Sequence, residues 1–239
     1  MKAYKGFNLD MTCRGYQFEE GKTYEHQGDV KLCESGFHAC KDPMDCLRYY
    51  DPCTSVYHEV EIDGVSDKRM DDTKIVGKKI RIGARMTIKS IVKASIEFVF
   101  ASCKNAKNGD YASGDGSRQA ASGDGSRQAA SGNWSSQAAS GNESRQAASG
   151  YESRQAASGN GSRQASSGNE SYQETTGKNC VMMSAGHAGK AKGKIGSWIV
   201  LTEWENGVPS VVARRIDGKE VKEDVWYTLR NGNFVEVEL

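Results

Sequence analysis

The chain has 239 residues, a formal net charge of +1 and 26% charged side chains. That balance excludes binding of nucleic acid or an anionic membrane through bulk charge, and the length suits two modest domains or one domain joined to a repeat array. No apolar run nears the ~20 residues of a membrane span, MKAYKGFNLD lacks a signal-peptide pattern, and the seven cysteines are an odd number. The expectation is a cytoplasmic protein, with no membrane role and reduced thiols.

In chain order, residues 1–86 read as an α+β head. MKAYKGF is a predicted strand, TCRGYQFEEGKTYEH strand and turn. Asp42-Pro43 places a capping carboxylate before proline at the first position of a helix over about 43–50. TSVYHEVEI alternates as a half-buried strand, and KIVGKKIRIG is strand-like. Residues 87–111 read as a capping helix and linker. Thr87 is its expected N-cap, and Ile88, Ile91, Val92, Ile96 and Val99 lie at helical spacing.

The stretch that organises the rest is Ala112 to Glu174. It consists of seven consecutive nine-residue units of the type ASGNESRQA, and two weaker copies, TTGKNCVMM and SAGHAGKAK, carry the register to Lys192. A period with no slip predicts a repeat architecture. Ser-Gly at the second and third places, Ser at the sixth and Gln at the eighth recur in all seven, while the fourth, fifth and seventh vary. Side chains alternate along a strand, so Ser and Gln are expected inward. Ser-Gly-Asn is turn chemistry, with the glycine expected to supply a positive φ and Asn or Asp to cap its own backbone. Nine residues are too few to close a coil. Two units per coil, in a parallel β-solenoid spanning 112–192, is the prediction. Residues 193–239 follow as a C-terminal β cap or oligomerisation segment, with hairpins across Glu205-Asn206-Gly207 and Asn231-Gly232. The fold class expected is thus mainly β: a small α+β head, then a nonapeptide solenoid capped by a helix and hairpins.

Several motifs resemble sites without meeting their chemistry. Cys33, Cys40, Cys46 and Cys53, with His26, His38 and His58, lack the C-x2-4-C spacing that seats two thiolates on one zinc, so no metal is expected. GKAKGK (189–194) lacks the phosphate-loop spacing and reads as a solvated basic loop. Carboxylates do not recur at calcium-ligand spacing. No cofactor and no catalytic residue is expected.

Two units per coil put odd and even copies on opposite sides. The odd side would carry Arg118, Arg154, Trp134, Tyr151 and Tyr172. Exposed Trp, Tyr and Arg are the residues that dominate binding surfaces, so this side is the expected partner face. The even side would carry a second ladder, Arg127, Arg145 and Arg163.

MKAYKGFNLDMTCRGYQFEEGKTYE, then CESGFHACKDPMDCLRYY, the SGN-x-S-x-QAA repeats and SWIVLTEW together resemble an uncharacterised family of phage and prophage proteins. That resemblance spans nearly the whole chain and implies no activity. More faintly, the order strand, GFHAC, helix, SVYHEVEI is similar to ADP-ribosyltransferase-like folds, with Lys5-Gly6 and Gly36-Phe37-His38 at matching positions and Glu59 or Glu61 on a suitable strand. The leading expectation is a non-catalytic, oligomeric binding protein presenting its repeat ladder to a host macromolecule or to itself. An NAD-binding ADP-ribosyl-transferring enzyme and an oligomeric sponge for a small nucleotide are the alternatives.

Overall fold

The computed structural model describes residues 1–31, 34–65, 73–105 and 109–239. Cys33 therefore lies outside the described residues. The chain divides into two compact units, Met1–Ala94 and Ser95–Leu239.

The first unit contains β1 (Lys2–Asn8), β2 (Thr12–Cys13), β3 (Tyr16–Gln17), β4 (Thr23–Glu25), β5 (Phe37–Cys40), β6 (Ser55–Asp63), β7 (Lys74–Gly77) and β8 (Lys79–Met86). Six of them form an antiparallel sheet in the order β4-β8-β6-β1-β5-β7. Alternation in β1 and β6 puts Ala3, Phe7, Val56, Val60 and Ile62 into one apolar core with Phe18, Ile80 and Ile82. The helix expected near 43–50 is a 3-10 helix, Pro43–Arg48, and the Asp42 carboxylate accepts from the Met44 amide at 3.0 Å.

The helix α1 (Ile88–Asn105) starts at Thr87, whose hydroxyl accepts from the Ser90 amide at 3.2 Å. Among the described residues, no helix is long and apolar enough to cross a membrane. From Ser95 on, α1 belongs to the second unit, where Ile96, Val99 and Cys103 form a buried stripe at helical spacing.

The second unit is a two-sheeted parallel β-solenoid. Its rungs are β9 (Gly109–Ala112), β10 (Arg118–Ala121), β11 (Arg127–Ala130), β12 (Ser136–Ala139), β13 (Arg145–Ala148), β14 (Arg154–Ala157), β15 (Arg163–Ser166), β16 (Tyr172–Thr175), β17 (Val181–Ser184) and β18 (Lys190–Lys192). Every strand pairs in parallel with the one two units away, as in Gln119↔Gln137↔Gln155↔Gln173 and Gln128↔Gln146↔Gln164. Two units make a coil. The two weaker repeats hold the register, so GKAKGK is not the solvated loop expected: Lys190–Lys192 is the strand β18.

The C-terminal residues complete both sheets. β19 (Trp198–Glu205) pairs in parallel with β17 and turns through Asn206-Gly207 into β20 (Val208–Arg215). β21 (Trp226–Arg230) joins β18 and turns through Asn231-Gly232 into β22 (Asn233–Val237). Both residues of each turn have positive φ, which is the hairpin chemistry that Asn-Gly favours. Met182, Ile199, Leu201, Ile216, Tyr227 and Leu229 fill the interior here, so the apolar core begins where the Gln repeat stops.

Each recurring residue has a structural cause. The eighth-place Gln points inward and donates to the Gln one coil earlier at 2.8–3.0 Å. Its other N–H reaches a carbonyl of the opposite sheet, as in Gln155 to Ala165 at 3.3 Å. The sixth-place Ser closes the turn on the third-place carbonyl, as in Ser153 to Gly150 at 2.9 Å.

Two expectations about the turn are corrected. The third-place glycines do not take positive φ. The fifth place does, from Gly116 and Gly125 through Trp134, Glu143 and Glu152 to Ala188, with φ of 49–68°. Glycine is needed at the third place because coils stack there: a Cβ on Gly150 would collide with the Gly132 carbonyl. The fourth-place Asn or Asp does not cap its own backbone. It accepts from the amide one coil later, as Asp115 does from Asn133 and Asn133 from Tyr151, each at 2.8 Å.

Candidate functional site

The seventh and ninth places of the repeat point away from the interior, and the two sheets treat them differently. In the even sheet (β11, β13, β15, β17) these places are covered: Ala129, Ala147, Ala165 and Met183 are buried, as are Arg145 and Arg163. Phe100 of α1 meets Tyr111 of β9, ring centroids 5.5 Å apart, and Cys103 sits beside Asp110 and Arg127. Burial pushes the Cys103 thiol up to about 11. The second ladder, Arg127, Arg145 and Arg163, therefore exists in register, but only Arg127 is partly exposed, while Arg145 and Arg163 are buried rather than on the solvent face expected for them. Arg163 is 2% exposed and donates to Glu143 at 2.9 Å and to the Gly161 carbonyl at 2.6 Å.

The odd sheet (β10, β12, β14, β16, β18) is open. Arg118 and Arg154 are exposed, Ser136 and Tyr172 half-exposed, and Ala120, Ala138 and Ala156 form an exposed row beside them. These side chains line a shallow groove of about 810 Å³ that ends at Trp226. Arg154 and Lys190 lie over the Tyr172 ring, 5.0 and 4.6 Å from its centroid, and Trp226 meets Tyr172 edge-on at 6.1 Å. Lys192 pairs with Glu174 at 2.8 Å and lies 5.1 Å from the Trp226 centroid.

The sequence reading placed all three array aromatics together. The structure separates them into two groups. Tyr172 is on the strand face. Trp134 and Tyr151 stand on the turns that lead into the odd strands, edge to face at 6.5 Å, and 55% and 38% exposed. The Tyr151 hydroxyl donates to Glu170 at 3.0 Å, and its hydrogen bonds with Glu152 and Glu170 raise its pKa. Sequence reasoning missed Lys190, Trp226 and the alanine row. Lys190 occupies the seventh place of the ninth unit, so the period carried that signal.

A second concavity lies wholly within residues 1–94. It encloses about 720 Å³ between β1, β5 and the segment ending at Tyr50, and Lys5, Arg14, His38 and Lys74 line it with aromatic rings. Gly6 lets Tyr50 lie flat on β1, because a Cβ there would sit 2.5 Å from the ring. The Tyr50 hydroxyl and Cys13 sulfur are 2.8 Å apart, and burial raises the Tyr50 pKa most. Burial, with repulsion from Lys74, Lys5 and Arg14, lowers His38 to about 4. The pairing of Tyr4 with Cys40 brings Lys5-Gly6 and Gly36–His38 onto neighbouring strands. Glu59 and Glu61 are elsewhere, in ion pairs with Lys2 at 2.8 Å and Arg81 at 3.6 Å. The carboxylates of the cavity are Glu25 and Glu34. Among the described residues, no group of three or more His, Cys, Asp or Glu side chains could hold a metal ion.

Residues 1–94 match the model of a domain of unknown function, DUF7666. No curated protein and no solved structure matches the chain.

Proposed function

We propose that the protein is a non-catalytic binding module whose working surface is the open odd sheet, and that its partner is an acidic protein. The observation that carries this reading is the contrast between the two sheets: the even ladder is covered, while the odd one keeps Arg118 and Arg154 exposed beside a flat alanine row. Arg118, Arg154 and Lys190 recur every second coil, roughly 10 Å apart at the usual strand spacing. A cationic column of this kind repels a second copy presented face to face and attracts carboxylates.

Trp134 adds a separate argument. It occupies the fifth place, with φ of 54°, where the other copies carry glycine, glutamate, asparagine or alanine. A left-handed conformation costs a non-glycine residue about 1–2 kcal/mol, and a half-exposed ring recovers little of that by packing. A bulky aromatic kept at such a position fits a role in contact. On the resemblance of head and repeats to phage and prophage proteins, the partner we propose is a host protein.

The test is fluorescence anisotropy with labelled poly-L-glutamate and, separately, a single-stranded oligonucleotide of equal length. The reading expects the polyglutamate to bind, to weaken with salt, and to lose at least tenfold in affinity in the R118E/R154E variant. Tighter binding of the oligonucleotide, or indifference to the double reversal, would overturn it. So would a dimer in sedimentation velocity that Ala138→Arg dissociates.

A further inference from the structure

We propose that the cavity of the first unit binds a small molecule that joins a planar ring to an anionic group. The site lies within residues 1–94 and owes nothing to the solenoid face. Its centre is Lys5. The side chain is 6% exposed, and its ammonium lies 3.3 Å from the Cys13 sulfur and donates to the His38 carbonyl at 3.2 Å. It also sits over the rings of Phe7 and Phe18, 5.2 and 5.8 Å from their centroids. No carboxylate among the described residues contacts it. A buried ammonium is costly without a full counter-charge, and sulfur, a carbonyl and ring faces supply only partial ones.

Arg14 and Lys74 line the same cavity, and both act on His38 together with Lys5. With His38 neutral above about pH 4, the lining carries, among the described residues, the cations Lys5, Arg14 and Lys74 against Glu25 and Glu34. That surplus is the charge pattern of an anion site.

The walls select the rest of the ligand. Phe18, Phe37 and Tyr16 form one aromatic cluster, with centroids 5.0–6.4 Å apart and Phe37 edge-on to the other two. Tyr49 and Tyr50 also line the cavity, and the Lys74 ammonium lies 4.2 Å from the Tyr49 centroid. Tyr16 and Tyr49 are 52% and 45% exposed, so the lining offers two accessible rings on which a planar group can stack. A volume of about 720 Å³ falls in the range of roughly 300–1,000 Å³ typical of small-molecule sites.

A nucleotide and an aromatic carboxylate share this chemistry, so isothermal titration calorimetry on the full chain uses adenosine 5′-monophosphate, indole-3-acetate and neutral adenosine. At least one of the two anions is expected to bind, and adenosine at least tenfold more weakly than the monophosphate. Lys5→Met keeps the buried stem and should abolish anion binding. Lys74→Ala, at the start of a strand, should weaken it about tenfold with the circular dichroism spectrum unchanged. It decides the matter if Lys5→Met does not fold. Failure of both anions, adenosine binding as tightly as its monophosphate, or undiminished affinity in a folded Lys74→Ala would each overturn the proposal.

Discussion

Replacing Gln155 tests what holds the solenoid together. Gln155 is 2% exposed. Its amide donates to Gln137 at 3.0 Å and to the Ala165 carbonyl at 3.3 Å, and its carbonyl accepts from Gln173 at 2.9 Å. Leucine has a similar volume and none of these bonds, so Gln155→Leu strands three buried polar groups. At about 1 kcal/mol or more for each group left unsatisfied, the loss is about 3 kcal/mol. Gln155→Ala adds a cavity and should cost about 4 kcal/mol. Ser136 is half-exposed on the outward side of β12, so Ser136→Ala should stay within about 0.5 kcal/mol. The assay is urea denaturation followed by circular dichroism, reading the midpoint at constant slope. Losses below about 1 kcal/mol for both Gln155 variants would refute the hydrogen-bonded interior.

Gly150→Ala drives a methyl into the Gly132 carbonyl of the coil beneath; it should cost roughly 2–3 kcal/mol, measured in the same urea assay. Arg163→Met removes a buried cation from Glu143 and should destabilise by about 3 kcal/mol, whereas Arg154→Met on the open face should change stability by under about 1 kcal/mol. Trp134→Gly relieves a left-handed residue and should leave stability unchanged or raise it by about 0.5 kcal/mol, while weakening polyglutamate binding in the anisotropy assay. The lowered pKa of His38 means that the unfolded chain binds the extra proton between pH 6.5 and about 4. Its contribution is therefore complete above pH 6.5 and is lost as pH falls towards 4. His38→Gln should flatten that part of the denaturation-midpoint profile relative to wild type.

The solenoid was legible because its causes are periodic. An inward Gln every nine residues, two units to a coil, and Asn-Gly turns in both hairpins follow from strand alternation and turn chemistry alone. The roles within the turn were not legible. Gly150 and Trp134 differ by which of them meets the coil below, and stacking distance has no signature in one strand's sequence. The same limit hid the burial of Arg145 and Arg163: the even and odd copies share one motif, and only the covering of one sheet distinguishes them. In the head, single residues gave the strands, but the cavity depends on Lys5, Arg14, His38 and Lys74 meeting across strands and turns far apart in the chain. Local pattern carries no such information.

The most direct measurement is maleimide labelling of single cysteines introduced at Ala138 and Ala147, equivalent places on the two sheets. The thiol at 138 should react freely and at least tenfold more slowly once polyglutamate is bound, while the thiol at 147 stays protected throughout. Equal reactivity at the two places, or no protection at 138 under saturating polyglutamate, would contradict an open odd face that docks an acidic partner.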